Sequence, residues 1–481
     1  MRFDFIKRQF VETSIGGEKP ALIGRDERWT WAQLLEQVRT AQRELSRFKP
    51  GTPVILNGRK ECGMVAGLLA CFELGLPYIP VDAMMPEGRL KRIAELSGAT
   101  VLFRAESGTA NDLRDNGAGS FPRVQDLAYI IFTSGSTGEP KGVQITYRNA
   151  ADLVTWLASE DFGFSSDDIV LNQCSFGFDV SFFDTAAALH HGGTLVLQGA
   201  DELKSEKPFL IADANPTVWS STPSALSLAL TCATFSAKDL PALKDIYLAG
   251  EVVHAALAQR VWRKFPEARI WNAYGPTEAT VILTLVQVNA GLLDKYQTTP
   301  IGFVKPGTVM RTTAANGKDE GELLILGPNV SPGYLNRPDL NETRFFTEAD
   351  GTRGYRTGDL GFVQDGMVFY KARMDNQIKL HGYRIELDEI DTQILKDARV
   401  EAAATVALRA GGDVKKLVCF LKPQKGVEGE RLLREIKATL GQDLPYYMIP
   451  SDFHVVTELP YNSNQKVDRG ALIERLTGAR I

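Results

Sequence analysis

Tyr129-Ile-Ile-Phe-Thr-Ser-Gly-Ser-Thr-Gly-Glu-Pro-Lys-Gly142 is the stretch from which the fold is read. The apolar run at 129–132 reads as a short buried strand. It opens directly into Thr133, Ser134, Gly135, Ser136, Thr137 and Gly138, with Lys141 shortly after. Glycines let consecutive backbone N–H groups turn toward one point, small hydroxyls add donors, and the lysine adds positive charge. Such a loop suits a phosphate chain. It is not a Walker loop, because Pro140 stands where the second glycine would be and no Ser or Thr follows Lys141. A Ser/Gly turn is also a common plain connection, so the rest of the chain must decide.

Upstream, residues 20–130 alternate helical and extended patterns. Residues 31–45 repeat apolar positions at helical spacing after Thr30, a suitable N-cap. Residues 54–56 read as a strand, 63–74 as a helix rich in small residues and 75–82 as a turn and strand. Residues 86–97 read as a helix with proline at its start. Downstream, strands are predicted at 170–173, 193–197, 216–221, 246–249 and 269–272, with helices at 182–190, 224–230 and 255–265. Strand–helix alternation of this kind predicts α/β layers with parallel strands. Residues 104–124, rich in Gly, Asn, Asp and Arg, read as a surface linker.

From about 285 the texture changes to short strands and turns. Residues 321–327 and 366–370 bracket Gly333-Tyr-Leu and Tyr355-Arg-Thr-Gly-Asp359, which predicts a small β unit. Residues 384–481 hold helical patterns at 386–396 and 430–440 and strands at 404–408 and 417–421, a compact α+β end domain.

The 481 residues exceed one ordinary domain. A 44% hydrophobic and 23% charged composition fits a globular chain with a large core, and a net charge of −5 gives no basic footprint for nucleic acid. Cys62, Cys71, Cys174, Cys232 and Cys419 are scattered without a Cys-x-x-Cys pair and read as reduced core residues. Met1-Arg-Phe-Asp-Phe-Ile-Lys-Arg8 lacks the apolar centre of a signal peptide, and no run is long enough to span a bilayer. The expectation is a cytoplasmic protein with no membrane or nucleic-acid partner.

Further segments carry chemistry. Asn272-Ala-Tyr-Gly-Pro-Thr-Glu-Ala-Thr280 follows a predicted strand, and loops at strand carboxyl ends of open α/β sheets face the ligand crevice. There Tyr274 can lie on a nucleobase, Thr277 can reach a phosphate and Glu278 can hold Mg²⁺; the same Gly-Pro can also simply end a strand. Asp359 can accept both hydroxyls of a ribose, or cap its own turn. The segment 373–386 flanks a short apolar strand with charge, as a hinge between domains would, and Lys466 lies in a polar loop near the C-terminus.

In this order the segments resemble the adenylate-forming (AMP-binding) enzyme superfamily, from about residue 20 to 475. Within it they resemble the amino-acid-activating branch: stand-alone adenylation domains of nonribosomal peptide synthesis and D-alanine–carrier-protein ligases. The resemblance implies a multi-subdomain α/β fold. A large N-terminal domain, 1–374, would hold two α/β subdomains and a small β-barrel, and a mobile α+β C-terminal domain, 375–481, would carry Lys466, with the site between them. It implies ATP and Mg²⁺ as cofactors. A substrate carboxylate attacks the α-phosphate of ATP, pyrophosphate leaves, and a carrier thiol then takes the acyl group. Thr133, Ser134, Gly135, Ser136, Thr137, Gly138 and Lys141 would hold the β- and γ-phosphates. Thr277 and Glu278 would serve the α-phosphate and metal. Gly250, Asn272, Ala273 and Tyr274 would line the adenine, and Asp359 with Arg373 the ribose. Lys466 would bridge carboxylate and α-phosphate, and Asp375 would be the hinge that exchanges Lys466 for the Gly382 segment. Ala372 and Gln465 stand where the family usually has glycine. No carrier serine motif follows Arg469, so the phosphopantetheinylated carrier is expected to be a separate protein.

Phe178-Asp-Val-Ser-Phe-Phe183 bears on the acid. The resemblance gives Asp179 the substrate ammonium, a charge-assisted bond, which argues against the alternative of an acyl- or aryl-CoA ligase. The pocket positions implied are Val180, Phe183, Ser220, Tyr247, Ala249, Ala273, Val281 and Ile282. None is charged, so a charged side chain would lack a partner. Phe183 and Tyr247 are bulky, which favours a small or medium apolar amino acid, alanine first. The Ser-Thr-Pro-Ser run at 221–224 and Gly250-Glu-Val resemble the D-alanine ligases. Those enzymes usually carry Cys where this chain has Ala249, so either hand of alanine stays open.

Overall fold

The computed structural model describes residues 1–14, 16–113, 126–135, 138–199, 212–313, 320–410, 413–461 and 467–478. The chain divides into two compact units. One comprises Met1–Met84, Ala94–Phe132 and Gly142–Ala372; the other comprises Met85–Ile93, Thr133–Lys141 and Arg373–Ile481.

The first unit is built on two large sheets. In the seven-stranded sheet, Val54–Gly58 lies parallel between Tyr78–Asp82 and Val101–Arg104. Val54, Ile55 and Leu56 are fully buried, as parallel strands covered on both faces require. The Cys62–Leu74 helix is apolar all round and carries small residues because its neighbours come close. A Cβ on Gly63 would stand 2.1 Å from the Ala105 carbonyl oxygen, and one on Gly67 2.8 Å from the Phe103 ring. Thr30 caps the Trp31–Leu45 helix in a reciprocal box with Gln33, which satisfies two helix-end donors. Thr146 and Asn149 do the same for Tyr147–Leu157.

The nine-stranded sheet has a parallel centre: Ile169–Asn172, Val218–Ser221, Asp245–Leu248 and Arg269–Tyr274. Its register sets Asn172, Ser220, Tyr247 and Trp271 side by side in one row. The Val180–Leu189 helix packs over this sheet, on Ile169–Asn172 and Thr194–Leu197. Two sequence expectations are corrected here. Thr284–Val288, placed by its texture in the small β unit, instead pairs antiparallel with Arg269–Tyr274 and extends the large sheet. Thr109–Asp112, read as linker, pairs with Val101–Arg104 at an edge of the seven-stranded sheet, and 114–125 lie outside the described residues. The small β unit is a five-stranded sheet built around Gly321–Leu326 and Arg353–Gln364.

In the second unit, Gln377–Leu380 and Tyr383–Glu386 form a hairpin. Its two-residue turn, His381-Gly382, has φ of 53° and 84°, the paired positive values that suit the twist of a tight hairpin. Val400–Ala410, Asp413–Pro423 and Asp452–Val455 make a three-stranded sheet. Leu387–Ile394 and Gly429–Asp443 contribute Ile390, Ile394, Leu432 and Ile436 to one hydrophobic cluster, while Arg469–Thr477 contributes Leu472 to another. Cys62, Cys71 and Cys419 are buried, whereas Cys174 and Cys232 are half-buried; all five are free thiols. Among the described residues, no helix is long and apolar enough to cross a membrane.

Candidate active site

Two clusters of candidate residues lie in the first unit. The nearer to the strand ends is built on the turn after Arg269–Tyr274. Tyr274 donates its hydroxyl to Asp359 Oδ2 at 2.5 Å, and both are buried. The Asp359 N–H is in turn held by Thr357 Oγ1 at 2.9 Å. Tyr274, expected at the adenine, and Asp359, expected at the ribose, are therefore neighbours, whereas Arg373 lies in the second unit. Asn272 uses its amide on the Pro300 carbonyl at 2.7 Å, so its side chain braces the strand end.

Thr277 starts a short 3₁₀ turn, Thr277–Ala279. Glu278 is fully buried and accepts the Tyr334 hydroxyl at 2.7 Å. Immediately after it, Thr280 and Val281 have φ of 61° and 70°. Neither is glycine, and a β-branched residue there is a strained outlier. Gly275 makes the fold-back possible, because a Cβ on it would meet the Val281 carbonyl oxygen at 2.5 Å. Thr280 Oγ1 donates to the Asn329 carbonyl at 2.7 Å, and the Ser331 N–H donates to the Glu278 carbonyl at 2.9 Å. Strain at the site is thus held by hydrogen bonds from outside the turn. Gly250, at φ 91°, takes the left-handed conformation that glycine favours, next to Ala249.

The other cluster surrounds the Val180–Leu189 helix. Asp179 precedes the helix, is 9% exposed and does not cap it. Phe183 lies one turn on, so both share a helix face. Phe183 and Tyr247 pack with ring centroids 5.4 Å apart. Val180 is half-buried, and Ala273, Val281 and Ile282 are buried. Tyr78 and Tyr129 have their phenol pKa values raised mainly by burial, with the nearby Asp179 charge adding to it.

Asp184, which the sequence reading passed over, is the second buried acid of this helix. It accepts from Asn172 Nδ2 at 2.8 Å and from the Ser220 hydroxyl. Lys60 in turn donates to Asn172 Oδ1 and, at 2.5 Å, to the Cys174 carbonyl. Burial pushes the Asp184 carboxyl up to about 7, against those two donors and the Lys60 charge. Its one sequence signal is its place five residues after Asp179.

In the second unit, described residues of the small-residue loop contact nearby carboxylates and backbone, while the Thr133 hydroxyl is buried with no hydrogen-bond partner among the described residues. The Gly135 N–H donates to Glu389 Oε2 at 2.9 Å, and the Ser134 hydroxyl donates to the Arg384 carbonyl at 3.0 Å. Lys141 is buried with its ammonium 3.6 Å from Glu386 Oε1. Burial raises the Glu386 pKa, opposed by Lys141. Glu389 also pairs with buried Arg89. Only glycine fits at 135, where a Cβ would stand 2.1 Å from the Glu139 carbonyl oxygen; Gly138, at φ 79°, would meet Thr392 at 2.4 Å. Arg373 forks onto Asp375 at 2.9 and 2.6 Å. Ser136, Thr137 and Lys466 lie outside the described residues. Tyr334, Glu386 and Glu389 were not singled out by sequence, since each acts through a partner distant in the chain.

Residues 12–335 match the model for AMP-binding enzymes, and 389–466 that for the AMP-binding enzyme C-terminal domain. The D-alanine–D-alanyl carrier protein ligase of Bacillus cereus (strain G9842) is 37% identical over 504 residues, covering 98% of this chain and 99% of the relative. That of Bacillus thuringiensis (strain Al Hakam) is 38% identical over 502 residues, with 98% and 99% covered. Among solved structures, the Vibrio cholerae adenylation domain AlmE with glycyl-adenosine-5'-phosphate superposes at a TM-score of 0.81 and 22% identity, covering 98% of this chain and 99% of that one. The o-succinylbenzoate CoA synthetase of Bacillus subtilis does so at 0.80 and 20%, covering 100% and 99%. These structures share the mixed α/β adenylate-forming fold. The chain belongs to the AMP-binding enzyme family.

Proposed function

We propose that the chain activates D-alanine as its adenylate and loads it onto the phosphopantetheine thiol of a separate carrier protein. The observation that carries the reading is Asp179: a buried carboxylate heading a helix whose next turn presents Phe183 to Tyr247. Asp184, the other acid of that helix, is fully buried and engaged by Asn172 and Ser220. Asp179, beside these rings, fits a substrate ammonium, and the rings fit a methyl group. The near full-length relatives named for D-alanine support that hand.

In the proposed chemistry, Asp179 orients the amino acid so that its carboxylate oxygen attacks the α-phosphorus of ATP. The bond from that phosphorus to the bridging oxygen breaks and pyrophosphate leaves. Gly135 N–H and Lys141 suit the departing phosphates. Lys466 neutralises charge growing on the α-phosphate. Glu278 fits Mg²⁺, which takes one or two carboxylates and completes its shell with phosphate and water; when bound, the ion would neutralise phosphate charge. Tyr334 fixes the carboxylate for that role. In the second step the carrier thiolate attacks the adenylate carbonyl carbon and AMP leaves. Residues 375–481 form the proposed mobile domain, with Asp375 its hinge.

Pyrophosphate exchange tests the reading, run with D-alanine, L-alanine, glycine, D-valine and fatty acids. D-Alanine should give the highest rate; exchange confined to acids without an amino group would sink it. Lys466→Ala should abolish exchange yet spare transfer from a supplied adenylate. Asp375→Pro should spare exchange and stop carrier loading.

A further inference from the structure

The rings of Phe183 and Tyr247 do not end the apolar cluster at the amino-acid pocket. Phe162 and Phe164, in the loop after the Tyr147–Leu157 helix, each pack against both. Phe162 lies 6.0 Å from Phe183 and 5.8 Å from Tyr247, and Phe164 lies 6.0 and 5.7 Å from the same two rings. The pair stack on each other at 5.4 Å and 22°. Trp271 stacks on Tyr247 at 5.9 Å and 10°, and Trp156 meets Phe162 edge-on at 4.9 Å.

The loop is shaped for this. Gly163, between the two phenylalanines, has φ 64° and turns the chain between the stacked rings. The Trp156 indole donates to Asp161 at 2.7 Å and anchors the loop to the helix before it. Phe162 is buried, whereas Phe164 is half-buried, at the outer side of the cluster. Closely packed rings cannot yield to an added methylene without displacing their neighbours.

We propose that Phe162 and Phe164 set the size limit of the amino-acid pocket, acting as positioning residues through Phe183 and Tyr247. A substrate side chain larger than methyl must push those two rings, and the two loop residues hold them in place. Phe164, at the edge of the cluster, is the residue whose removal gives Phe183 room to move outward. The proposal rests on the reading of Asp179, Phe183 and Tyr247 as the substrate pocket.

The test is pyrophosphate exchange by wild type, Phe164→Leu and Phe164→Ala with alanine, 2-aminobutyrate, valine and leucine, each in both hands. One methylene in an apolar pocket discriminates about 10- to 200-fold. Phe164→Ala should therefore raise kcat/KM for 2-aminobutyrate or valine relative to alanine at least about tenfold, with KM for ATP unchanged. Phe164→Leu should lie between. If Phe164→Ala does not fold, a shift in that ratio by Phe164→Leu, or its absence, decides the matter. An unchanged ratio in a folded variant, with wild type active on alanine, overturns this inference alone. Wild type inactive on every amino acid overturns the pocket reading and the inference with it.

Discussion

Around Phe183 the first unit is ring on ring, while around Gly135 the described residues of the second unit meet through hydrogen bonds and an ion pair. Phe183 and Tyr247 touch further aromatics on several sides, so their positions follow from shape. Ser134, Gly135 and Lys141 meet a carbonyl and two glutamates, Glu386 and Glu389, groups that an anion can replace. A pocket formed by packing is selective because it resists change. A loop holding carboxylates is suited to exchange them for phosphate oxygens, since both present the same kind of acceptor to the same donors. The two regions differ in the chemistry of their partners, rings in one and charged or polar groups in the other.

The comparison breaks first at Asp179. Asp179→Asn should lower kcat/KM for the amino acid by about a hundredfold or more, the scale for one partner of a buried charge pair, with KM for ATP unchanged. An equal rise in KM for ATP would place Asp179 outside the amino-acid pocket.

Acid should loosen the ring-packed unit next. His190, at the end of the Val180–Leu189 helix, is 7% exposed, and its pKa is lowered to about 4 by burial first, then by His191 and Arg2, against Asp4. Above the ordinary value near 6.5 both folded and unfolded forms are neutral there. Between about 6.5 and 4 the unfolded chain takes the proton and the folded one does not, so stability falls by about 3 kcal/mol and then levels off. Denaturant melts of wild type and His190→Gln across that window should show the variant with a shallower acid slope; parallel curves would refute the assignment.

Glu386→Gln sharpens the other side. Removing the anion beside the buried Lys141 leaves its ammonium to pair with phosphate oxygens and should tighten binding of inorganic pyrophosphate several-fold. Weaker pyrophosphate binding would mean that Glu386 supports the phosphate site rather than competing for it. The smallest effect is expected from Tyr247→Phe. The Tyr247 hydroxyl is buried and has no hydrogen-bond partner among the described residues, so the ring contributes bulk. Exchange with alanine should change less than about twofold, and a larger loss would show that the hydroxyl contacts substrate.

Local signals carried well from sequence to structure. Thr30 caps where its side chain and the following periodicity place it, and Val54, Ile55 and Leu56 are the buried strand that their β-branched and apolar character suggests. Strand pairing was not legible. Thr284–Val288 joined the large sheet by pairing with Arg269–Tyr274 across the candidate-site turn, and local texture does not encode a partner. Within the candidate site, the motif segments stand out in the sequence, but the partners that hold them do not. Tyr334 reaches Glu278, Glu389 reaches Gly135 and Ser220 reaches Asp184 across gaps that no spacing rule spans. Phe162 and Phe164 look, in sequence, like any apolar pair beside a glycine.

Thr280 and Val281 carry a consequence for anyone selecting sturdier forms of this chain. Side by side in a backbone region that each disfavours, they store about 1–3 kcal/mol apiece. Screens for heat resistance should therefore return glycine or asparagine at these positions early. If the tension aims Glu278, such winners will be tougher proteins and poorer catalysts, a trade-off common where function uses strain.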